Sequence, residues 1–198
     1  VGSHAINGVA TLHSRLLTSD VMSDFHAMWP EKFSNKTNGV TPRRFVVLSN
    51  QRLSSLVTDA IGDDWPRDLD QLRQLEPYAE DAAFGERWRQ VKLENKQELA
   101  TLVKARAGIT IDPKSIYDVQ VKRIHEYKRQ HLNILNVIAL YNRIKQNPGI
   151  DIHPRTFIFG GKAAPGYHIA KLMIKLINSV GEVVNQDPAI RDLINVAY

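Results

Sequence analysis

From Ile116 to Tyr198 the chain alternates strand-like and helix-like segments, and this alternation limits the fold more than any other feature. Ile116, Tyr117, Val119 and Val121 are β-branched or aromatic residues suited to a pleated sheet. A helical stretch from about Tyr127 to Gln146 follows, broken by Asn147-Pro148-Gly149. A second strand, Arg155 to Phe159, leads into a helix striped with Ile169, Leu172, Met173, Leu176, Ile177, Val180, Val183 and Val184. Asn185-Gln186-Asp187-Pro188 ends that helix before a last apolar run toward Tyr198. Strand, helix, strand, helix, strand calls for parallel strands joined by right-handed crossovers. The expected fold is α/β, with the strand ending near Lys122 beside the one ending near Gly160 and helices on both faces. Ligands on such sheets bind beyond the carboxyl ends of the strands.

Two turns fall at that edge. The first holds Lys122, Arg123 and Lys128 around the expected start of a helix. Helix N-termini already carry partial positive charge, so cations there cost stability unless an anion, most simply phosphate, occupies the turn. A solvated basic helix start without a ligand is the plainer alternative. The second turn, Gly160-Gly161-Lys162-Ala163-Ala164-Pro165-Gly166-Tyr167, puts a glycine pair between strand and helix, where backbone can approach a ligand closely. Its spacing fits neither a dinucleotide-binding fingerprint nor a P-loop.

The rest of the chain reads as mostly helical. Ile6, Val9, Ala10, Leu12, His13, Leu16 and Leu17 predict a helix over 6–18, and Ser19-Asp20 predicts the cap of another reaching Met28. Asn38-Gly39 suits a positive-φ turn, and Pro42 suits the first turn of a following helix. Short helices are expected over 51–61 and 68–75, broken at Gly62 and at Glu76-Pro77. A long helix over 80–107 would bury Phe84, Trp88, Val91, Leu99, Leu102 and Val103 and stop at Gly108. His13 and His26 lack further ligands at metal spacing, so no metal site is expected.

Charge distribution narrows the ligand. The net charge is +5, yet nine acids face only Arg67 and Arg73 between Asp59 and Glu86. Between Lys122 and Lys175 ten Lys or Arg face only Glu126 and Asp151. A basic half suits nucleic acid or a small anion. Its aromatics fall at strand or helix-core spacing, with no stacking platform, and the small anion explains it at least as well. Cysteine is absent, which excludes disulfides and thiol chemistry and fits a reducing cytoplasm. There is neither an apolar run of membrane-spanning length nor a signal-peptide pattern.

Four segments together carry a resemblance. They are Gly-Ser-His-Ala-Ile-Asn-Gly-Val-Ala at 2–10, Asn-Lys-Thr-Asn-Gly-Val-Thr-Pro-Arg-Arg-Phe at 35–45, the run through Lys-Arg-Ile-His-Glu-Tyr-Lys-Arg-Gln at 119–130, and Phe-Gly-Gly-Lys-Ala-Ala-Pro-Gly-Tyr-His at 159–168. In that order they resemble motifs of the α-glucan phosphorylases, the glycogen, starch and maltodextrin enzymes. Phe45 stands where Trp is usual. Gly-Ser-His alone is also a common tag remnant, but its continuation follows the family pattern.

The resemblance implies a piece of a two-domain, GT-B-type glycosyltransferase, cut at both ends. Residues 1–38 would close the N-terminal domain and 39–198 would begin the Rossmann-like C-terminal domain. The implied reaction is phosphorolysis of terminal α-1,4-linked glucosyl units, with retention, to glucose 1-phosphate. The implied cofactor is pyridoxal phosphate, whose Schiff-base lysine lies in the family beyond the stretch that ends at Tyr198. By the same resemblance Arg123 and Lys128 are substrate-phosphate ligands, and Lys122 partners the cofactor phosphate, with Lys128, Gly160 and Gly161 beside it. Asn38 hydrogen-bonds a sugar hydroxyl, Val9 packs on the sugar, and His125 and Tyr127 support the site. A homodimeric, allosteric, cytoplasmic enzyme is implied, and the fragment alone is expected to be inactive. Two alternatives stay open on the sequence: a sugar-nucleotide glycosyltransferase domain, and a non-catalytic anion- or nucleic-acid-binding module.

Overall fold

The computed structural model describes residues 2–39, 42–190 and 192–198, which form two compact units divided between Glu80 and Asp81. In the first unit a short strand β1, Ile6–Gly8, pairs in parallel with β2, Phe33–Asn35. The single helix expected over 6–18 therefore loses its start to a sheet ladder. Helix α1 spans Thr11–Leu16 and passes into a wide turn over Leu17–Val21. Gly8 makes this possible, because a Cβ there would lie 2.2 Å from Ser14 Oγ and 2.5 Å from Ser14 N. Ser19 does not cap a new helix. Its hydroxyl donates back to the Arg15 carbonyl at 2.9 Å, as happens inside a helical run. Helix α2, Ser23–Met28, stops at Trp29 ahead of Pro30, as expected.

Asn38 and Gly39 do not form the expected positive-φ turn. Among the described residues positive φ is confined to Gly62, Gly108 and Arg129. The chain runs on beside β1 instead, with Lys36 N donating to Gly8 O at 3.0 Å and Asn38 N to Val9 O at 2.8 Å. Val40 and Thr41 of the connector lie outside the described residues, and Pro42 is helical and leads into Arg44–Leu48. Helix α3, Gln51–Ile61, has the expected bounds. Asn50 Oδ1 accepts from Leu53 N at 3.3 Å, and Gly62 leaves the helix at φ 86°. The helix expected over 68–75 is a longer 3₁₀ run, Leu69–Glu80, passing through Pro77. Tyr78 ties it back, its hydroxyl donating to the Ala60 carbonyl at 2.9 Å. That tertiary bond overrides the break Pro77 suggests.

The second unit opens with α4, Ala82–Ala107, capped by Asp81 Oδ1 on the amides of Ala83 and Phe84 and ended by Gly108 at φ 74°. Of its six expected core positions Val103 is buried, Phe84, Trp88, Val91 and Leu99 are half-buried, and Leu102 is exposed. Strands β3 (Ile116–Val121), β4 (Arg155–Gly160) and β5 (Ile194–Ala197) form a parallel sheet in that order, with Val121 opposite Gly160. Helices α5 (Gln130–Gln146) and α6 (His168–Gln186) make the two crossovers. Phe157, Phe159, Ile194 and Val196 pack with Ile134, Val137 and Ile144 of α5 and Ile177 and Val184 of α6. Ile158 and Ala197, on the alternate face, pack with Leu99 and Val103 of α4. Helices thus cover both faces, and each fully buried apolar side chain contributes roughly 1.5–3 kcal/mol. The apolar stripe of α6 divides: Met173, Ile177 and Val184 enter the core, whereas Ile169, Leu172, Leu176 and Val183 stay exposed. Among the described residues no helix is long and apolar enough to cross a membrane.

Candidate functional site

The carboxyl edge of β3 and β4 is where both expected turns meet. Lys122 N donates to Gly160 O at 2.8 Å, and Ile124 N donates to Lys162 O at 3.1 Å, so the ladder continues past the strands. Ile124 anchors the first turn by burying itself against Ala170 and Met173 of α6. Lys122, Arg123 and His125, on either side of it, are left exposed. The helix expected to begin near Tyr127 begins at Gln130. Residues Glu126–Lys128 form a single 3₁₀ turn, and Arg129 follows at φ 56° as the residue before α5. The cations therefore sit on an eight-residue connection rather than on the helix.

This edge is electropositive. Neither Lys122, Arg123 nor Lys128 has a carboxylate within ion-pair distance among the described residues. Helices α5 and α6 both begin here with no acid in the first turn and no side-chain cap. Two uncapped helix ends and three unpaired cations form a place for an anion.

The second turn has a different role from the one its sequence suggests. A Cβ on Gly161 would lie 2.0 Å from the Lys122 carbonyl oxygen and 3.3 Å from Ile124 Cδ1. Gly161 is required by the close approach of the first turn's own backbone. On Gly160 a Cβ would come no closer than 3.4 Å to anything, its nearest neighbours being the Val121 methyls. Tyr198 completes the support, its hydroxyl donating to the Gly161 carbonyl at 2.7 Å, and burial pushes that phenol up.

Side chains from both turns also form an aromatic cluster. The His125 ring lies 4.4 Å from that of Tyr127 and 5.1 Å from that of Tyr167. Lys128 Nζ stands 5.6 Å over the Tyr127 ring. Tyr167 donates its hydroxyl to Glu126 Oε2 at 2.6 Å and accepts from Glu126 N at 3.2 Å; the hydrogen bond to the carboxylate raises the phenol pKa. Glu126 and Tyr167 stood inside the sequence motifs without an assigned role. Gln130, fully buried, closed the same motif as Glu126 without an assigned role, and its burial was not readable, since glutamine at a helix start is ordinarily solvated.

In the first unit Asn38 and Val9, the residues expected from the resemblance to meet the sugar, come together. Asn38 is bonded through its amide to the Val9 carbonyl, and both side chains are exposed. Ser14 Oγ donates to Asn35 Oδ1 at 2.7 Å, and Asn35 Nδ2 donates to Thr37 Oγ1 at 2.8 Å, which braces the segment carrying Asn38.

A family model described as carbohydrate phosphorylase matches residues 1–198. The chain belongs to the carbohydrate phosphorylase family. It is 62% identical over 198 residues to the glycogen phosphorylase of a Synechocystis strain, and 52% identical over 198 residues to that of Bacillus subtilis. It is 52% identical over 197 residues to the muscle form of glycogen phosphorylase from mouse. Each match covers 100% of this chain but only 23%, 25% and 23% of those proteins, respectively. The chain thus spans about a quarter of the length of these carbohydrate phosphorylases. Both turns, the β1–β2 pair and the connector lie inside the matched region.

Proposed function

We propose that this chain supplies phosphate-binding and sugar-binding parts of a glycogen or α-1,4-glucan phosphorylase. The carrying observation is the trio Lys122, Arg123 and Lys128, unpaired, at an edge where two helices begin without acids. The reaction proposed is retaining transfer of a terminal glucosyl unit from the glucan to inorganic phosphate, giving glucose 1-phosphate. Arg123 would grip the reacting phosphate as a planar two-pronged donor and Lys128 would add a compact charge. Asn38 would hydrogen-bond a hydroxyl of the glucosyl unit while Val9 packs on its ring. His125 and Tyr127 would limit how far Lys128 can swing. Fixed cations cost no reorganisation as charge shifts during transfer, which is why they accelerate it.

Pyridoxal phosphate, when bound, would supply a phosphate group as proton donor and acceptor. Unpaired Lys122 and Lys128 fit such a group. Assigning it to Gly160 and Gly161 rests on the resemblance alone, because the Lys122 carbonyl already accounts for Gly161. The boundary between the enzyme's two domains is proposed near residue 38. A homodimer in the cytoplasm, with allosteric control, belongs to the same proposal. At a quarter of its relatives' length, the chain alone is proposed to be inactive.

This reading is preferred over a sugar-nucleotide transferase or a nucleic-acid-binding module because the relatives named above are all glycogen phosphorylases. The test is made in a polypeptide of the relatives' full length that carries this segment. Glycogen and inorganic phosphate should release glucose 1-phosphate, and Arg123→Ala should abolish this. Glucosyl transfer only from a nucleotide sugar, or full phosphorolysis by Arg123→Ala, would overturn the reading.

A further inference from the structure

We propose that Gln120 and Gln130 are positioning residues that hold the carbonyls of Lys128 and Arg123, and thereby aim the two cations read above as phosphate ligands. The inference rests on that phosphate-binding reading. Gln130 is the first residue of α5 and is fully buried. Its amide donates to the Arg123 carbonyl at 3.1 Å, and its oxygen stands 3.5 Å from His125 N. One side chain therefore spans Ile124 and fixes the backbone on both sides of it. Gln120 reaches the other end of the connection, donating to the Lys128 carbonyl at 3.0 Å. Its orientation is set from behind, because Asn133 Nδ2 donates to Gln120 Oε1 and to Asp118 Oδ1, each at 3.2 Å.

A connection between strand and helix has carbonyls without a ladder partner, and solvent serves most of them at no cost. Here two glutamines from different elements take the carbonyls of two residues whose side chains are the candidate ligands. Arg129, the sole non-glycine residue at positive φ among the described residues, turns the chain into α5 between them. Arg123 is exposed and Lys128 half-buried, so neither is held by packing over its whole length. Their aim is then set by the backbone, and a displacement of about 1 Å in a positioning group can cost a hundredfold.

The experiment uses a polypeptide of the relatives' full length carrying Gln120→Met, Gln130→Met or Arg123→Ala. Methionine keeps the length of the side chain and removes its donor. Thermal unfolding, calorimetric titration with inorganic phosphate, and KM values for phosphate and glucan are measured on each. Each Met variant should raise phosphate KM and weaken phosphate binding about ten- to a hundredfold, with glucan KM unchanged. Lower thermal stability with wild-type phosphate binding would mean a structural role only and would overturn the inference. If Gln130→Met does not fold, half-buried Gln120 at the sheet edge decides alone. Loss of phosphate binding in Arg123→Ala but in neither Met variant would sink this inference alone. Wild-type phosphate binding in Arg123→Ala would sink the underlying reading as well.

Discussion

The two strand-to-helix turns lie side by side on one sheet edge, and both look like ligand loops in sequence, yet they are built for opposite purposes. The turn at 122–129 buries Ile124 and leaves Lys122, Arg123 and His125 exposed. The turn at 160–167 also leaves Lys162 exposed, but its Gly161 accommodates the Lys122 carbonyl, and its Tyr167 reaches across to Glu126. The first presents charge, and the second holds the first in place. Glycine after a strand therefore marks a close approach without saying what approaches. Unpaired cations on an anchored turn are the more specific indication of a ligand.

The comparison is tested most strongly on the presenting side. In a polypeptide of the relatives' full length, Arg123→Lys keeps the charge and loses the two-pronged geometry. The barrier to phosphorolysis should rise by roughly 2–4 kcal/mol, by analogy with removing one transition-state donor, and turnover should drop about a hundredfold or more. Thermal unfolding should be unchanged. Lys128→Arg should be milder.

On the supporting side stability should fall along with binding. Gly161→Ala forces a methyl against the Lys122 carbonyl, and overpacking of this kind costs about 1–3 kcal/mol. Chemical denaturation should register that loss, and because the Lys122 carbonyl has to shift, phosphate binding should weaken together with stability. Tyr167→Phe removes the hydroxyl donated to Glu126 and should lower stability less than Gly161→Ala, since the lost bond is exposed to solvent.

The smallest effect lies at the opposite end of the two helices. Asp187 accepts from Lys145 Nζ at 2.9 Å and Tyr141 Oη at 2.8 Å, and these bonds hold its carboxyl down to about 2. A depressed carboxyl contributes stability that is complete above its ordinary value, near 4, and is lost as pH falls from there through about 2. An acid titration followed by circular dichroism should show this contribution, and Asp187→Asn should remove it. Phosphate binding at neutral pH should not respond.

How much was legible in the sequence follows the same division between local and distant causes. Helix α3 was readable to the residue because Asn50 and Gly62 set its ends locally. That β3 and β4 lie side by side in a parallel sheet followed from the alternation together with the two turns. The strand at Ile6–Gly8 was not legible, since its partner lies at Phe33–Asn35 and Ile6 falls in the helical period of the residues that follow. Nor was the start of α5 at Gln130, which depends on Arg129 adopting φ 56° and on Gln130 burying itself beneath Arg123. Within the candidate site the cations stood out by charge, whereas Gln120, Gln130 and Tyr198 bond backbone carbonyls, which leaves no pattern in the sequence.

The central claim, that one turn binds the anion while its neighbour only supports it, is tested most directly by titrating inorganic phosphate into Arg123→Lys and Gly161→Ala. Both are measured in a polypeptide of the relatives' full length, at a temperature where each is folded. The account predicts at least about tenfold weaker binding in Arg123→Lys, equivalent to roughly 1.4 kcal/mol, with unchanged thermal unfolding, and in Gly161→Ala weaker binding only together with a loss of stability. Wild-type affinity in Arg123→Lys, or a loss confined to Gly161→Ala, would contradict it.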